Sequence, residues 1–181
     1  MSRVIALVSG AEAREFDTDL PYLSRALGDR GIITEIVDWD NASTDWSRYS
    51  MAIVRSPWDY HRRYPEFLAW LDSVSAATTL QNSADIIRWN TNKEYLAELV
   101  EAQIGVIPTT FVRSAEELVT ITNEGMLERD IVVKPTISAG SNNTERHEES
   151  PVKAAAHLGF LLDAGFVAMV QPYQRFIDER G

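Results

Sequence analysis

Residues 130–147, DIVVKPTISAGSNNTERH, constrain this chain more than any other stretch. They open with the β-branched run Ile131, Val132 and Val133, reach Lys134 and Pro135, and pass into a loop of small and hydroxylated residues. A strand feeding a polar loop is the expected conformation. Ser138, Ala139, Gly140 and Ser141 carry little side-chain bulk, so backbone N–H groups there can approach a ligand closely. Consecutive N–H groups in such a turn form an anion-binding concavity. Phosphate is the natural guest, and Lys134 at the strand end would act as a point charge on its oxygens. An ordinary hairpin loop with an edge lysine has the same appearance at this level. The spacing differs from G-x-x-x-x-G-K-[ST], and no G-x-G-x-x-G occurs anywhere.

Composition narrows the alternatives. At 181 residues there is room for one large domain or two small ones, and 45% apolar against 24% charged residues is the balance of a globular chain. A net charge of −10 argues against sequence-independent binding to nucleic acid or to anionic membranes. A phosphate ligand would then need local positive charge or a divalent cation. With no cysteine, there is neither a disulfide framework nor a thiolate metal site. The apolar run at residues 4–8 is too short for a signal segment or a membrane span, so a soluble cytoplasmic protein is expected.

Residues 3–8 read as a strand buried on both faces of a parallel sheet. A helix follows, capped by Asp17 or Asp19, with Pro21 in its first turn, Leu20, Leu23 and Leu27 at helical spacing, and Gly31 after its end. Strands are expected at residues 32–37 and 51–54, an order that favours an open α/β sheet. Directly after Val54 comes Arg55, Ser56, Pro57, Trp58, Asp59 and Tyr60. Ligands of open α/β sheets bind beyond the carboxyl ends of the strands, so Arg55, Ser56, Trp58 and Asp59 are candidates to orient a small polar substrate. The competing reading packs Trp58 and Tyr60 into the core and pairs Arg55 with Asp59. Tyr64, Phe67, Leu68, Leu71 and Val74 then mark one face of a helix, and residues 78–80 a short last strand.

The second half opens with Thr91, Asn92, Lys93 and Glu94, a capping-box pattern for a helix running to Gly105. Lys93 would lie in the first turn, where the macrodipole disfavours a cation unless an anion is near. A strand is expected at residues 107–112, a capped helix from Ser114 with Leu118 and Ile121 inward, and a helix from Pro151 with Ala155, Leu158, Leu161 and Leu162 inward. Residues 166–170 form the last expected strand, leading into an extended turn through Asp178.

The motifs RSPWDY (55–60), RWNTNKEYL (88–96), VVKPTISAGS (132–141) and VQPY (170–173), in this order and spacing, resemble the ATP-grasp superfamily. More narrowly, they resemble its glutathione-synthetase-like group, which contains the cyclo-ligase of D-cycloserine biosynthesis. The resemblance implies an open, mostly parallel, Rossmann-like pre-ATP-grasp α/β domain over residues 1–88, then the first α+β subdomain of an ATP-grasp fold over 89–181. It also implies ATP-dependent joining of a carboxylate to an amine, or cyclisation, through an acyl phosphate. Lys93 and Lys134 would contact the ATP phosphates, Lys134 also lying near the adenine, and Ser138, Gly140 and Ser141 would belong to the phosphate-covering loop. Gln171, where the family often has Glu, would meet the adenine amino group. The Tyr173 and Gln174 backbone would bracket the adenine edge, and Asp178 would hold the ribose. Arg55, Ser56, Trp58 and Asp59 would belong to the site of an amino-acid-like substrate.

The resemblance also implies a second ATP-grasp subdomain carrying the magnesium ligands, which this sequence lacks. The chain is therefore expected to be an N-terminal fragment of a ligase, inactive alone. Its last strand is expected to be a poorly covered edge favouring self-association, with a homodimer as one form. The alternative is a catalytically incomplete module that binds a nucleotide or a partner.

Overall fold

The computed structural model describes residues 4–180, and the chain divides into two compact units, residues 1–90 and 91–181. Arg3 and Gly181 lie outside the described residues.

The first unit is built on a four-stranded parallel sheet. Its strands are β1 (Val4–Ser9), β2 (Ile33–Asp38), β3 (Met51–Ser56) and β4 (Leu80–Gln81), in the order β2-β1-β3-β4. As an interior strand, β1 buries Ala6, Leu7 and Val8 completely, which is why its sequence is a continuous apolar run instead of an alternation. Helix α1 (Leu20–Gly28) follows β1, and α2 (Tyr64–Ala77) follows β3. Gly31 takes φ +75° beyond α1, and the Ile32 N–H reaches back to the Leu27 carbonyl, a Schellman closure. The core joins Ala6, Val8 and Ala52 of the sheet to Phe67, Leu71 and Val74 of α2. Around them Trp39 meets Phe67 edge-on at 5.3 Å, and Phe67 stacks with Trp70 at 5.4 Å.

The second unit carries an antiparallel sheet. Its strands are β5 (Thr110–Val112), β6 (Ile131–Pro135), β7 (Glu145–His147) and β8 (Ala168–Pro172), in the order β5-β8-β6-β7. Helices α5 (Ala115–Asn123) and α6 (Pro151–Asp163) supply the core partners Ile121, Ala154, Leu158 and Leu161. The register fixes which side chains share a face. Ile131 and Val133 of β6 join Ala168 and Val170 of β8 in that core, while Val132 and Lys134 lie opposite Gln171 and Met169 on the other face.

Several expectations need correction. The last strand, β8, is hydrogen-bonded on both sides, to β5 and β6, so it is an interior strand and gives no edge for self-association. The stretch after β6 returns as β7, making a hairpin whose second strand, Glu145, Arg146 and His147, is too polar to announce itself. Residues 81–90 contain most of a further helix, α3 (Ala84–Thr91), so Thr91 ends a helix where it was expected to start one. The next helix, α4 (Tyr95–Glu101), has no side-chain cap, and Gln103 at φ +59°, not Gly105, makes the left-handed turn after it. The residues expected to form an extended turn include a short helix, α7 (Phe176–Arg180).

Ser114 does cap α5, accepting from the Glu117 N–H, while the Glu117 carboxylate accepts from the Arg113 N–H at 2.6 Å. Among the described residues, no helix is long and apolar enough to cross a membrane.

Candidate functional site

In the second unit the loop after β6 is held by Lys93. The Lys93 N–H donates to the Thr136 carbonyl at 3.0 Å, and its ammonium donates to the carbonyls of Thr136 at 3.3 Å and Ser138 at 2.9 Å. Lys93 is thus set by the turn between α3 and α4, not by a helix first turn. Its neighbour Glu94 bonds Asn92 and accepts from Arg113 Nη2 at 2.6 Å, which pins that turn to the end of β5. The Asn92 amide and then Arg113 hold the Glu94 carboxyl below the usual range.

Lys134 stands on the face of β6 turned away from the core residues Ile131 and Val133. Burial lowers the pKa of both lysines, and the charge of Lys134 depresses Lys93 further. Among the described residues, neither ammonium is paired with a carboxylate. Two half-buried cations repelling one another without a counter-charge make a site suited to an anion.

The loop itself is rich in left-handed backbone. Gly140, Ser141 and Asn143 have φ of +59°, +58° and +51°, a conformation that non-glycine residues adopt uncommonly. A Cβ on Gly140 would meet nothing within 4 Å, so its dihedral and not crowding favours glycine there. Ser138 is buried and its hydroxyl donates to the Asn142 carbonyl at 2.8 Å, closing the loop on itself.

Gln171 shares the Lys134 face and is nearly buried, its Nε2 donating to Thr109 Oγ1 at 2.8 Å. The Tyr173 N–H donates to the Asp130 carbonyl, and the Gln174 carbonyl accepts from the Ile177 N–H. The Gln174 side chain donates to the Pro172 carbonyl at 3.1 Å. Asp178 accepts from the Tyr173 hydroxyl and lies 3.8 Å from Arg146. Sequence reasoning missed Arg146. It forks onto Asp130 at 2.9 and 2.8 Å, and its Cζ sits 3.6 Å from the Tyr173 ring centroid. Its partners are distant in sequence, so only the β6–β7 pairing could have revealed it.

In the first unit the substrate candidates are not one cluster. Arg55 reaches Asp17 at 3.2 Å and Asp19 at 3.4 Å, and is not paired with Asp59. Asp59 accepts from Trp39 Nε1 at 3.0 Å and lies 3.4 Å from Arg63. Ser56 is fully buried and its hydroxyl meets that of Ser9 at 3.1 Å, so it joins β1 to β3 and is covered from solvent. Trp58 is exposed, whereas Tyr60 packs at 5.2 Å from Phe67 and burial pushes its hydroxyl pKa up to about 12. Asp17 was anticipated as a cap and does accept from the Leu20 N–H through Oδ1. Its buried Oδ2 has no partner among the described residues.

Residues 5–82 match the family described as the N-terminal domain of D-cycloserine synthetase DcsG. At the level of fold, the chain resembles the RimK domain ATP-grasp protein of Sphaerobacter thermophilus, with a TM-score of 0.65 at 18% identity over 95% of this chain and 64% of that one. It likewise resembles the ATP-grasp ligase PsnB, solved with a precursor variant, Mg and ADP, with a TM-score of 0.60 at 14% identity over 96% and 66%. The crystal structure of D-cycloserine synthetase DcsG agrees more closely, with a TM-score of 0.89 at 34% identity over 98% of this chain and 62% of that one. Over nearly its whole length the chain is a relative of DcsG. The cycloserine biosynthesis protein DcsG of Streptomyces lavendulae is 34% identical over 183 residues, covering 98% of this chain. The chain spans 61% of the length of that curated relative.

Proposed function

We propose that this chain is the ATP-binding portion of an ATP-dependent ligase that joins a carboxylate to an amine, or cyclises its substrate, through an acyl phosphate. Residues 1–88 are read as a Rossmann-like pre-ATP-grasp domain and 89–181 as the first ATP-grasp subdomain. The observation that carries this reading is the pair Lys93 and Lys134, two half-buried cations without a carboxylate partner, one of them already bonded to the phosphate-loop carbonyls.

In this reading the two ammonium groups bind nucleotide phosphates, and Ser138, Gly140 and Ser141 cover them with backbone N–H groups. With Nε2 committed to Thr109, Gln171 offers its carbonyl oxygen to the adenine amino group. The Tyr173 carbonyl and Gln174 N–H face the adenine edge, and Asp178 exchanges its bonds to Tyr173 and Arg146 for the ribose hydroxyls. Bound ATP supplies the phosphoryl group that activates a carboxylate. The chain's own contribution is to position that nucleotide and neutralise its charge.

Magnesium is expected to accompany the phosphates, but no cluster of carboxylates converges beside the lysines among the described residues. No step is therefore assigned to residues of this chain through the metal. That same observation favours a second reading, in which the chain binds nucleotide without turnover. Arg55, Trp58 and Asp59, with Asp17 behind Arg55, are proposed to hold a small amino-acid-like substrate.

Nucleotide protection tests the reading. ATP at a hundredfold over its Kd should stabilise the fold by about 2.7 kcal/mol. Protection that persists undiminished in Lys134→Ala would contradict the site assignment.

A further inference from the structure

On the second unit, the β6–β7 hairpin and α6 bring three potential metal ligands together. His147 Nε2 on β7 faces His157 Nδ1 on α6 at 3.1 Å, both side chains being buried. Glu145, two residues before His147 and exposed, places Oε2 3.9 Å from the same Nε2. One ligand atom from each residue lies within 4.8 Å of the other two.

We propose that Glu145, His147 and His157 form a binding site for a divalent cation of the zinc type, distinct from the nucleotide site. Two imidazole nitrogens and one carboxylate oxygen suit zinc-like ions, which take nitrogen and carboxylate ligands in tetrahedral sets. With metal–nitrogen bonds of about 2.0–2.1 Å, nitrogens 3.1 Å apart subtend about 100° at the metal, near the tetrahedral angle. The carboxylate is somewhat distant, but it belongs to an exposed side chain and can close on the ion from solvent. In the metal-free pair one ring nitrogen carries the proton shared between the rings. Coordination needs that nitrogen free, and the proton then moves to the same ring's other nitrogen. Lys153 is the nearby cation that opposes binding, and Glu145 is the anion that offsets it. Water would fill the fourth position. The bound ion would clamp β7 to α6 and so stiffen the hairpin whose tip is the Ser138–Ser141 loop.

Cobalt(II) titration of the metal-stripped full chain provides the test. The expected result is an intense visible absorption of tetrahedral type that saturates at one cobalt per chain, is displaced by zinc, and is lost in His147→Gln and His157→Gln. Zinc should also raise the melting temperature of the parent chain and not of those variants. Glu145→Gln alters an exposed side chain and keeps the fold, so it remains decisive if a histidine variant fails to fold. It should weaken cobalt binding at least about tenfold. No absorption in the parent chain, the same absorption in His157→Gln, or unchanged affinity in Glu145→Gln would overturn the site.

Discussion

The ammonium of Lys93 donates to the carbonyl oxygen of Ser138 at 2.9 Å, so the turn before α4 and the loop after β6 are joined through the cation itself. In the proposed site, these loop carbonyls occupy the position that phosphate oxygens would contest. The depressed pKa of Lys93 indicates that they do not fully replace its lost hydration, a deficit that an anion would relieve.

In the proposed site, Lys93 is aimed by residues outside the phosphate contacts. Arg113 grips Glu94, and Glu94 fixes the turn that carries Lys93. Arg113→Ala is expected to weaken ATP binding about threefold to tenfold while costing less than about 1 kcal/mol of fold stability, because the pair is partly exposed and screened by solvent. Arg113→Lys should restore part of the affinity. Isothermal titration beside a urea melt checks this, and unchanged affinity would show that the turn holds Lys93 without Arg113.

The lysine pair also sets a pH dependence. Both folded-state pKa values lie below the ordinary lysine value of about 10.4, so the unfolded chain binds more protons in the window between. Stability without ligand is therefore expected to gain from these groups as pH rises through that window, since deprotonation relieves the buried charges. ATP affinity should move the opposite way, being greatest with both lysines protonated and falling as pH rises through the depressed values. Binding measured across alkaline pH for the parent chain and Lys134→Ala checks the sign, and a flat parent profile would contradict it.

Gly10 is a packing position in the first unit. A Cβ there would sit 2.4 Å from Asp59 Oδ1, an oxygen already bonded to Trp39. Gly10→Ala is expected to displace the Asp59 carboxylate and to destabilise the fold by about 1–3 kcal/mol. A lowered urea midpoint with an unchanged slope is the measurement that would bear this out.

Much of this was legible in the sequence, because local periodicity governs strands and helices with one dominant environment. Val4 to Val8 could only be an interior strand, and Leu158 and Leu161 could only face a core. Misreadings arose where a residue type supports two roles. Thr91 and Glu94 have capping-box spacing, but Ile87 drives residues 84–91 into a helix of their own, so Thr91 ends one. The position of β8 depends on its pairing with β5 and β6, partners far away in sequence that no local pattern encodes. The candidate nucleotide residues were legible as motifs, but their supports, Arg113, Arg146 and Thr109, were not. In the first unit, Arg55 could not reveal Asp17 as its partner, since 38 residues separate them.

The most direct test of the central claim is the affinity of the purified chain for Mg-ATP beside that of Lys134→Ala, with far-ultraviolet dichroism confirming that both are folded. The account predicts saturable binding by the parent chain, thermal protection with it, and loss of both in the variant. Equal affinity in the two folded proteins, or no binding by the parent chain, would contradict it.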